Sequence, residues 1–416
     1  MKGDIWRRSF RYLRRVVNRF FSFSTKVTRQ NNWEFLDPPI ENIFYFSGRV
    51  KDIYQLEMWI QPFLDCGLHF YVCAREAPVF IYLQSRGIKA ILILKFQDLG
   101  VLCDRGSKNI FYVNNSAKNT HMIRYPQMMH IQLLHGDSDK PPSYNPVSQM
   151  YDFLFVAGEG AIERYFSNGV FIPLEKFVIC SRPQLKPLDL PNEAHQRLAD
   201  APQIVLFCTT WGGHQESSNY SSLNIIYEAI LDALRDGLSV IFRPHPLSCK
   251  DNDDQDFIKK IVDMLENYKY QSNQFGRYSN PLKGEDIFDN YYFVLKYADF
   301  LVGDLASSVH DWVYLNKPFI ITKSDFILHE QYYNSSLYKC GQFSIWERTM
   351  SLDTLLKFES NTFDQQLASE RRAKLLGVRE GEKASDIFRK ALLSAIKPDS
   401  KKIYIEGLFS KHNRSR

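Results

Sequence analysis

Two histidines in this sequence have surroundings that suit chemistry. His245 lies between Pro244 and Pro246, behind Arg243 and the β-prone run Val240-Ile241-Phe242. Proline fixes its own φ and pushes the preceding residue toward extended geometry. The spacing therefore predicts a strand that stops abruptly and presents an imidazole beside a guanidinium. His135 ends the apolar run "MHIQLLHG", followed at once by Gly136. An unperturbed imidazole titrates near neutral pH and can accept or donate a proton there. A third stretch, Thr209-Thr210-Trp211-Gly212-Gly213, closes the run "QIVLFC", and a fourth, "GDLASSVHDW", places small and hydroxyl residues where a strand turns into a helix. In that fourth stretch Asp304 or Ser307 can cap the helix, leaving serine hydroxyls and backbone amides for an anion such as a diphosphate. Neither G-x-x-x-x-G-K-[ST] nor G-x-G-x-x-G occurs, so a P-loop and the usual dinucleotide fingerprint are excluded.

The elements that must carry these residues alternate. "ENIFYFSGRV" reads as a strand and "YQLEMWIQPFLDC" as a helix; "LHFYVCA", "IKAILILKF", "NIFYVNN" and "MHIQLLHG" read as further short strands. "YDFLFVAGEGAIERYF" is strand, glycine turn and helix. A second series runs from "APQIVLFCTTW" through a helix in "LNIIYEAILDALRDG", the strand "LSVIFRPHP", a helix at about 256–268, and the strands "ADFLVGD" and "KPFIITKSD". Strands separated by helix-length segments imply parallel sheets, and two such series imply two Rossmann-like domains. The proline-rich "SRPQLKPLDLPNEA", residues 181–194, is the expected boundary, and "KDNDDQD" is expected to be a solvated loop. Ligands of doubly wound folds sit beyond the carboxyl ends of strands. All four stretches fall there, which puts one histidine from each domain on the facing rims of a cleft.

At 416 residues, 44% hydrophobic and 14% aromatic, the chain is long enough for two folded domains. No apolar run reaches membrane-spanning length, and arginines interrupt the apolar residues near the start, so no secretory signal is expected. The seven cysteines are scattered without a Cys-x-x-Cys pair, which argues against a disulfide framework or a zinc site and for a reducing cytoplasm. The net charge of +5 is uneven: residues 1–30 hold nine Lys/Arg and one acid, a net +8, so the remainder sums to −3. Basic charge gathered at the two ends, rather than through the folded body, does not suit a nucleic-acid binder. In "DIWRRSFRYLRRVVNRFF", Trp6, Phe10, Leu13, Val16, Val17, Phe20 and Phe21 form one helical stripe, and Arg7, Arg8, Arg11, Arg14, Arg15 and Arg19 lie opposite. An aromatic face backed by arginines suits the surface of an anionic bilayer. The alternative is a helix packed on its own protein.

In order and spacing, "HGDSDK", "YDFLFVAGEGAIERY", "SRPQL", "VLFCTTWGGHQESSNYSSL", "RPHP" and "DLASSVHDWVYLNKPFI" resemble the CDP-glycerol glycerophosphotransferase family. This family comprises teichoic-acid and capsule primases and polymerases. The resemblance covers about residues 40–350. It implies a GT-B-like α/β fold with two Rossmann-like domains facing a central cleft. These would be an acceptor domain at 31–190 and a CDP-donor domain at 191–395, flanked by the helix at 1–30 and a basic tail at 396–416. It implies catalysis by His135 and His245: His135 as the base for an acceptor hydroxyl, His245 as a hydrogen-bond donor to the diphosphate or the departing CMP phosphate. Donor contacts would come from Arg243, Thr210, Trp211, Asp304, Ser307, Ser308 and Asp311, and the acceptor side from Gly136, Asp137, Ser138 and Lys140. The family's Asp-x-Ser-Ser-x-x-x-Asp pattern has Ala306 in place of its first serine. No metal and no cofactor are implied. The expected partners are CDP-glycerol or another CDP-polyol, a polyprenyl-linked glycan acceptor and the anionic inner face of the cell membrane, with no nucleic acid. A nucleotide-sugar glycosyltransferase of surface polysaccharide synthesis, on the same architecture, is the alternative. A non-catalytic nucleotide-binding or assembly protein is a third possibility.

Overall fold

Short apolar runs bounded by glycine or polar turns can be buried on both faces only as central strands of a parallel sheet. The computed structural model describes residues 40–189, 203–212, 219–245, 248, 252–271, 276–280, 285–286, 291–325, 327–341, 343–347 and 351–397. The amphipathic stripe expected at 1–30 and the tail beyond residue 397 lie outside the described residues. The chain forms two compact units, Met1–Gln132 and Leu133–Arg416.

In the first unit β1 (Asn42–Phe46), β2 (Tyr71–Ala74), β3 (Ala90–Leu92), β4 (Asn109–Tyr112) and β5 (Met129–Gln132) pair in the order β3-β2-β1-β4-β5, all parallel. Every residue of β1 is buried. Phe44 stands at the centre of an aromatic cluster, with ring centroids 4.6 Å from Phe63, 5.1 Å from Phe70 and 5.6 Å from Phe111. Phe63 comes from the helix Tyr54–Asp65, whose buried face is Leu56, Trp59 and Phe63, at i, i+3 and i+7. Polar side chains across the sheet are satisfied by one another: Asn109 Nδ2 donates to Asn42 Oδ1 at 3.0 Å, and the Tyr112 hydroxyl pairs with His130 Nδ1 at 2.8 Å.

In the second unit β6 (Phe153–Val156) and β7 (Phe177–Ile179) pair in parallel. The other strands are β8 (Ile204–Cys208), β9 (Ser239–Arg243), β10 (Gly276–Asn280), β11 (Glu285–Asp286), β12 (Phe300–Gly303), β13 (Phe319–Thr322) and β14 (Ser344–Trp346). They form a sheet in the order β11-β10-β9-β8-β12-β13-β14, parallel except for β10 with β11. One face of this sheet packs on the helix Leu223–Arg235 through Ile226, Ile230 and Ala233 against Val205, Phe207 and Val240. The other face buries Trp312, Leu295 and Leu305 with Leu206 and Ile321. The strand order reverses beside β8, between β9 and β12, and at such a switch point a crevice opens at the carboxyl ends. There Gly303 pairs with Cys208, and a Cβ on Gly303 would sit 2.3 Å from the Cys208 carbonyl oxygen, so only glycine lets the two strand ends approach this closely.

The fold class expected from the sequence, α/β with parallel sheets of GT-B type, is the one observed. One local expectation is corrected. Residues 252–256 open the helix Asn252–Gln271 rather than extending a solvated loop; Asp254 and Asp256 lie near its start, where the helix dipole favours acidic side chains. Among the described residues no helix is long and apolar enough to cross a membrane.

Candidate active site

The turn carrying His135 follows a non-glycine residue in the left-handed region, Leu134 at φ 56°. Such a conformation persists only where the surroundings impose it. Here the next residues impose it. The backbone of Gly136 runs beside the helix Ser307–Trp312: a Cβ there would lie 3.6 Å from Ser307 Cβ and 3.7 Å from its Oγ. Asp137, Ser138 and Asp139 are then gripped by one guanidinium. Arg164, buried on the helix Glu159–Ser167, donates from Nη1 to Asp137 Oδ1 at 2.5 Å and to the Ser138 carbonyl at 2.6 Å, and its Nε lies 3.3 Å from Asp139 Oδ1. His310 closes the cluster, with Nε2 3.2 Å from Asp139 Oδ2 and Nδ1 4.0 Å from Asp137 Oδ2. Asp139 also accepts from the Ser336 amide and hydroxyl at 2.7 and 2.6 Å.

Burial by itself raises a carboxyl pKa, yet Arg164 and His310 hold both aspartates below the ordinary value. The same pairing outweighs burial at Arg164 and raises its pKa. The cluster is thus a charged, buried clamp that fixes the loop carrying His135.

A second network joins the strand ends. Lys140 Nζ donates to Thr210 Oγ1 at 2.5 Å and lies 5.3 Å from the centroid of the Tyr220 ring. The Thr210 amide donates to Asp304 Oδ2 at 2.6 Å, while Ser222 and Thr322 hydroxyls donate to Asp304 Oδ1. Desolvation pushes Asp304 up to about 6 and Lys140 down to about 8, so their mutual attraction does not offset the cost of burial. Trp211 stacks on His245 with centroids 6.2 Å apart and planes 24° from parallel. Arg243 lies over the Tyr291 ring at 5.4 Å. Asp311 is held by Arg182 through Nε at 2.5 Å and Nη2 at 3.4 Å.

The structure therefore brings Gly136 to Ser307, Lys140 to Thr210, and Trp211 to His245. Ser307 and Ser308 are partly exposed at the start of their helix. The expected cap is absent: the N-cap is Ala306, which has no side-chain oxygen, and Asp304 is turned back onto Thr210, Ser222 and Thr322. Both Asp304 and Asp311 are buried with their hydrogen bonds going to protein groups. Asp139, Arg164, Arg182 and His310 were not foreseen. His310 had a signal, since it falls three residues after Ser307 on the same helical face. Arg164 had none, because an arginine on an amphipathic helix reads as a solvated one. Among the described residues no group of histidine, cysteine, aspartate and glutamate side chains is placed to hold a metal ion.

Residues 192–338 match the model of the family described as CDP-Glycerol:Poly(glycerophosphate) glycerophosphotransferase. That segment is similar to this glycerophosphotransferase family, and the chain is a transferase. The matched range contains Thr210, Trp211, Arg243, His245, Ser307, Ser308 and Asp311 of this transferase. Among solved structures it is similar to the wall teichoic acid polymerase TagF, at 14% identity and a TM-score of 0.53 over 94% of this chain and 97% of that one. It is also similar to MnaA from S. aureus in a co-structure with UDP, at 14% identity and a TM-score of 0.53, covering 88% and 97% of the two chains. A glycosyltransferase from Rickettsia africae aligns at 11% identity and a TM-score of 0.50, covering 89% and 99%. These likenesses show the GT-B fold. Among curated proteins none matches the transferase by sequence.

Proposed function

We propose that the transferase moves glycerol phosphate, or a related polyol phosphate, from a CDP-activated donor to a hydroxyl of a lipid-linked cell-wall glycan, releasing CMP. The observation that carries this reading is the His245–Trp211 stack inside the matched segment, in the same unit as the clamped His135 loop. The acceptor oxygen attacks the phosphorus bearing glycerol, and the bond from that phosphorus to the bridging oxygen of CMP breaks. His135 takes the hydroxyl proton, and the electron pair leaves with CMP. His245 and Arg243 donate to the phosphate oxygens where charge accumulates, a role that positioned donors fill in phosphoryl transfer generally. Ser307 and Ser308 supply hydroxyls to the diphosphate. The neighbouring polymerase TagF supports a polymer-building role, and the UDP-bound neighbour MnaA keeps a nucleotide-sugar donor as the competing reading. Residues 1–30 would hold the enzyme at the inner membrane face, where a polyprenyl-linked acceptor is made.

Incubation with CDP-glycerol, CDP-ribitol and UDP-sugars, with detection of CMP or UDP, separates the readings. With the CDP donor, His135→Ala and His245→Ala are each expected to lower CMP release by about 10²-fold or more without unfolding the protein. Retention of more than about a tenth of turnover by either variant removes that histidine from the mechanism.

A further inference from the structure

Beside the clamp lies a cavity of about 420 Å³, lined by residues of the second unit only. That volume falls within the range of small-molecule sites. Its walls are the rings of Tyr144, Phe166 and Tyr220, and Asn168 and Asn334 stand exposed at its rim. Arg164 and Asp139 are the buried ion pair of its lining. Arg164 is 4% exposed, and among the described residues its Nη2 has no hydrogen-bond partner although Nη1 has two. A buried guanidinium N–H left unsatisfied is costly, and an incoming oxygen relieves it. Charge inside the cavity nearly cancels. Asp139 faces Arg164, and Glu163 is turned onto Lys374, leaving Lys339 at the mouth. Aromatic walls, amides at the rim and a buried N–H donor in a nearly neutral cavity suit a neutral polyhydroxylated ligand rather than a phosphate.

We infer that this cavity is a binding subsite for the glycosyl portion of the acceptor, a role that rests on the transfer reading above. The cavity adjoins the reactive loop at two points. Asp139 belongs to the loop that begins at His135, and the Tyr220 wall carries Lys140 over its ring. A sugar seated against Tyr144 and Tyr220 extends from the cavity toward the loop, so its hydroxyl reaches the donor along the Lys140–Thr210 side.

The test uses the full chain with two neutral disaccharides, cellobiose and N,N′-diacetylchitobiose, observed by saturation-transfer NMR and titration calorimetry. Millimolar binding of at least one is expected. Tyr144→Ala and Asn334→Leu are each expected to weaken it about tenfold, or ~1.4 kcal/mol. Asn334 is exposed, so its replacement leaves the unfolding temperature unchanged and keeps the test valid if the tyrosine variant unfolds. Absence of disaccharide binding, undiminished binding by a folded Asn334→Leu protein, or binding of glycerol 3-phosphate alone overturns the subsite. Disaccharide binding sensitive to Asn334→Leu, in a protein that turns over no CDP donor, keeps the carbohydrate site and overturns the transfer reading instead.

Discussion

Replacing Arg164 by methionine keeps most of the apolar stem and removes the guanidinium that Asp137, Ser138 and Asp139 share. The two buried carboxylates are then left with the His310 imidazole beside them and, for Asp137, the more distant Arg182. Removing one partner of a buried ion pair typically costs ~3–5 kcal/mol. Against a total stability of ~5–15 kcal/mol the variant should remain folded but lose a large share of its margin. The pH dependence identifies the cause. In the native protein both carboxyls have depressed pKa values, so their contribution is present above the unfolded value and is lost as pH falls through the folded one. In the variant the same carboxyls lose their cation, and burial pushes them upward. The deficit relative to wild type should therefore be greatest near pH 7.5 and should narrow toward pH 5, where the variant's buried carboxyls take up protons. Urea unfolding of both proteins at the two pH values measures it. Adding Asp137→Asn to the methionine variant should recover part of the loss at pH 7.5, and Arg164→Lys should fall between wild type and Met. A deficit below about 1 kcal/mol, or one equal at both pH values, would refute the clamp.

Gly303→Ala should destabilise by about 3 kcal/mol or more, because its Cβ meets a backbone carbonyl that cannot yield. Gly100→Ala, whose Cβ meets only the Tyr125 ring at 3.6 Å, should be near neutral, and thermal unfolding compares them. For the proposed membrane role, deletion of residues 1–24 should greatly reduce co-sedimentation with anionic vesicles while leaving activity on a soluble acceptor analogue. Each arginine near such a surface contributes ~1 kcal/mol, so the binding of the full-length chain should weaken with salt. Equal sedimentation of both forms assigns the segment to the protein's own packing.

The strands were legible because burial on both faces demands continuous apolar runs, as in "NIFYF" and "IVLFC", and glycine or proline marks their ends. His245 and Trp211 were legible for the same reason, since a strand end is a place that local sequence defines. What stayed hidden was pairing at a distance. Asp304 carries the same side chain whether it caps its own helix or accepts from Thr210, Ser222 and Thr322; only the fold brings those three to it. Arg164 and Arg182 drew no reading of their own, because their carboxylates lie 27 and 129 positions away. The acidic start of the helix Asn252–Gln271 was misjudged by polarity, which predicts exposure better than it predicts backbone conformation.

The bonds of Asp139 reach 171 positions along the chain to His310 and 197 to Ser336. Closing loops of that length is entropically slow, and the contacts contribute only once both ends have met. During synthesis, then, the His135 loop leaves the ribosome long before the groups that fix it, and Asp139 lacks its full set of partners until residue 336 has emerged. Recovery of activity after dilution from denaturant should correspondingly lag behind the recovery of secondary structure.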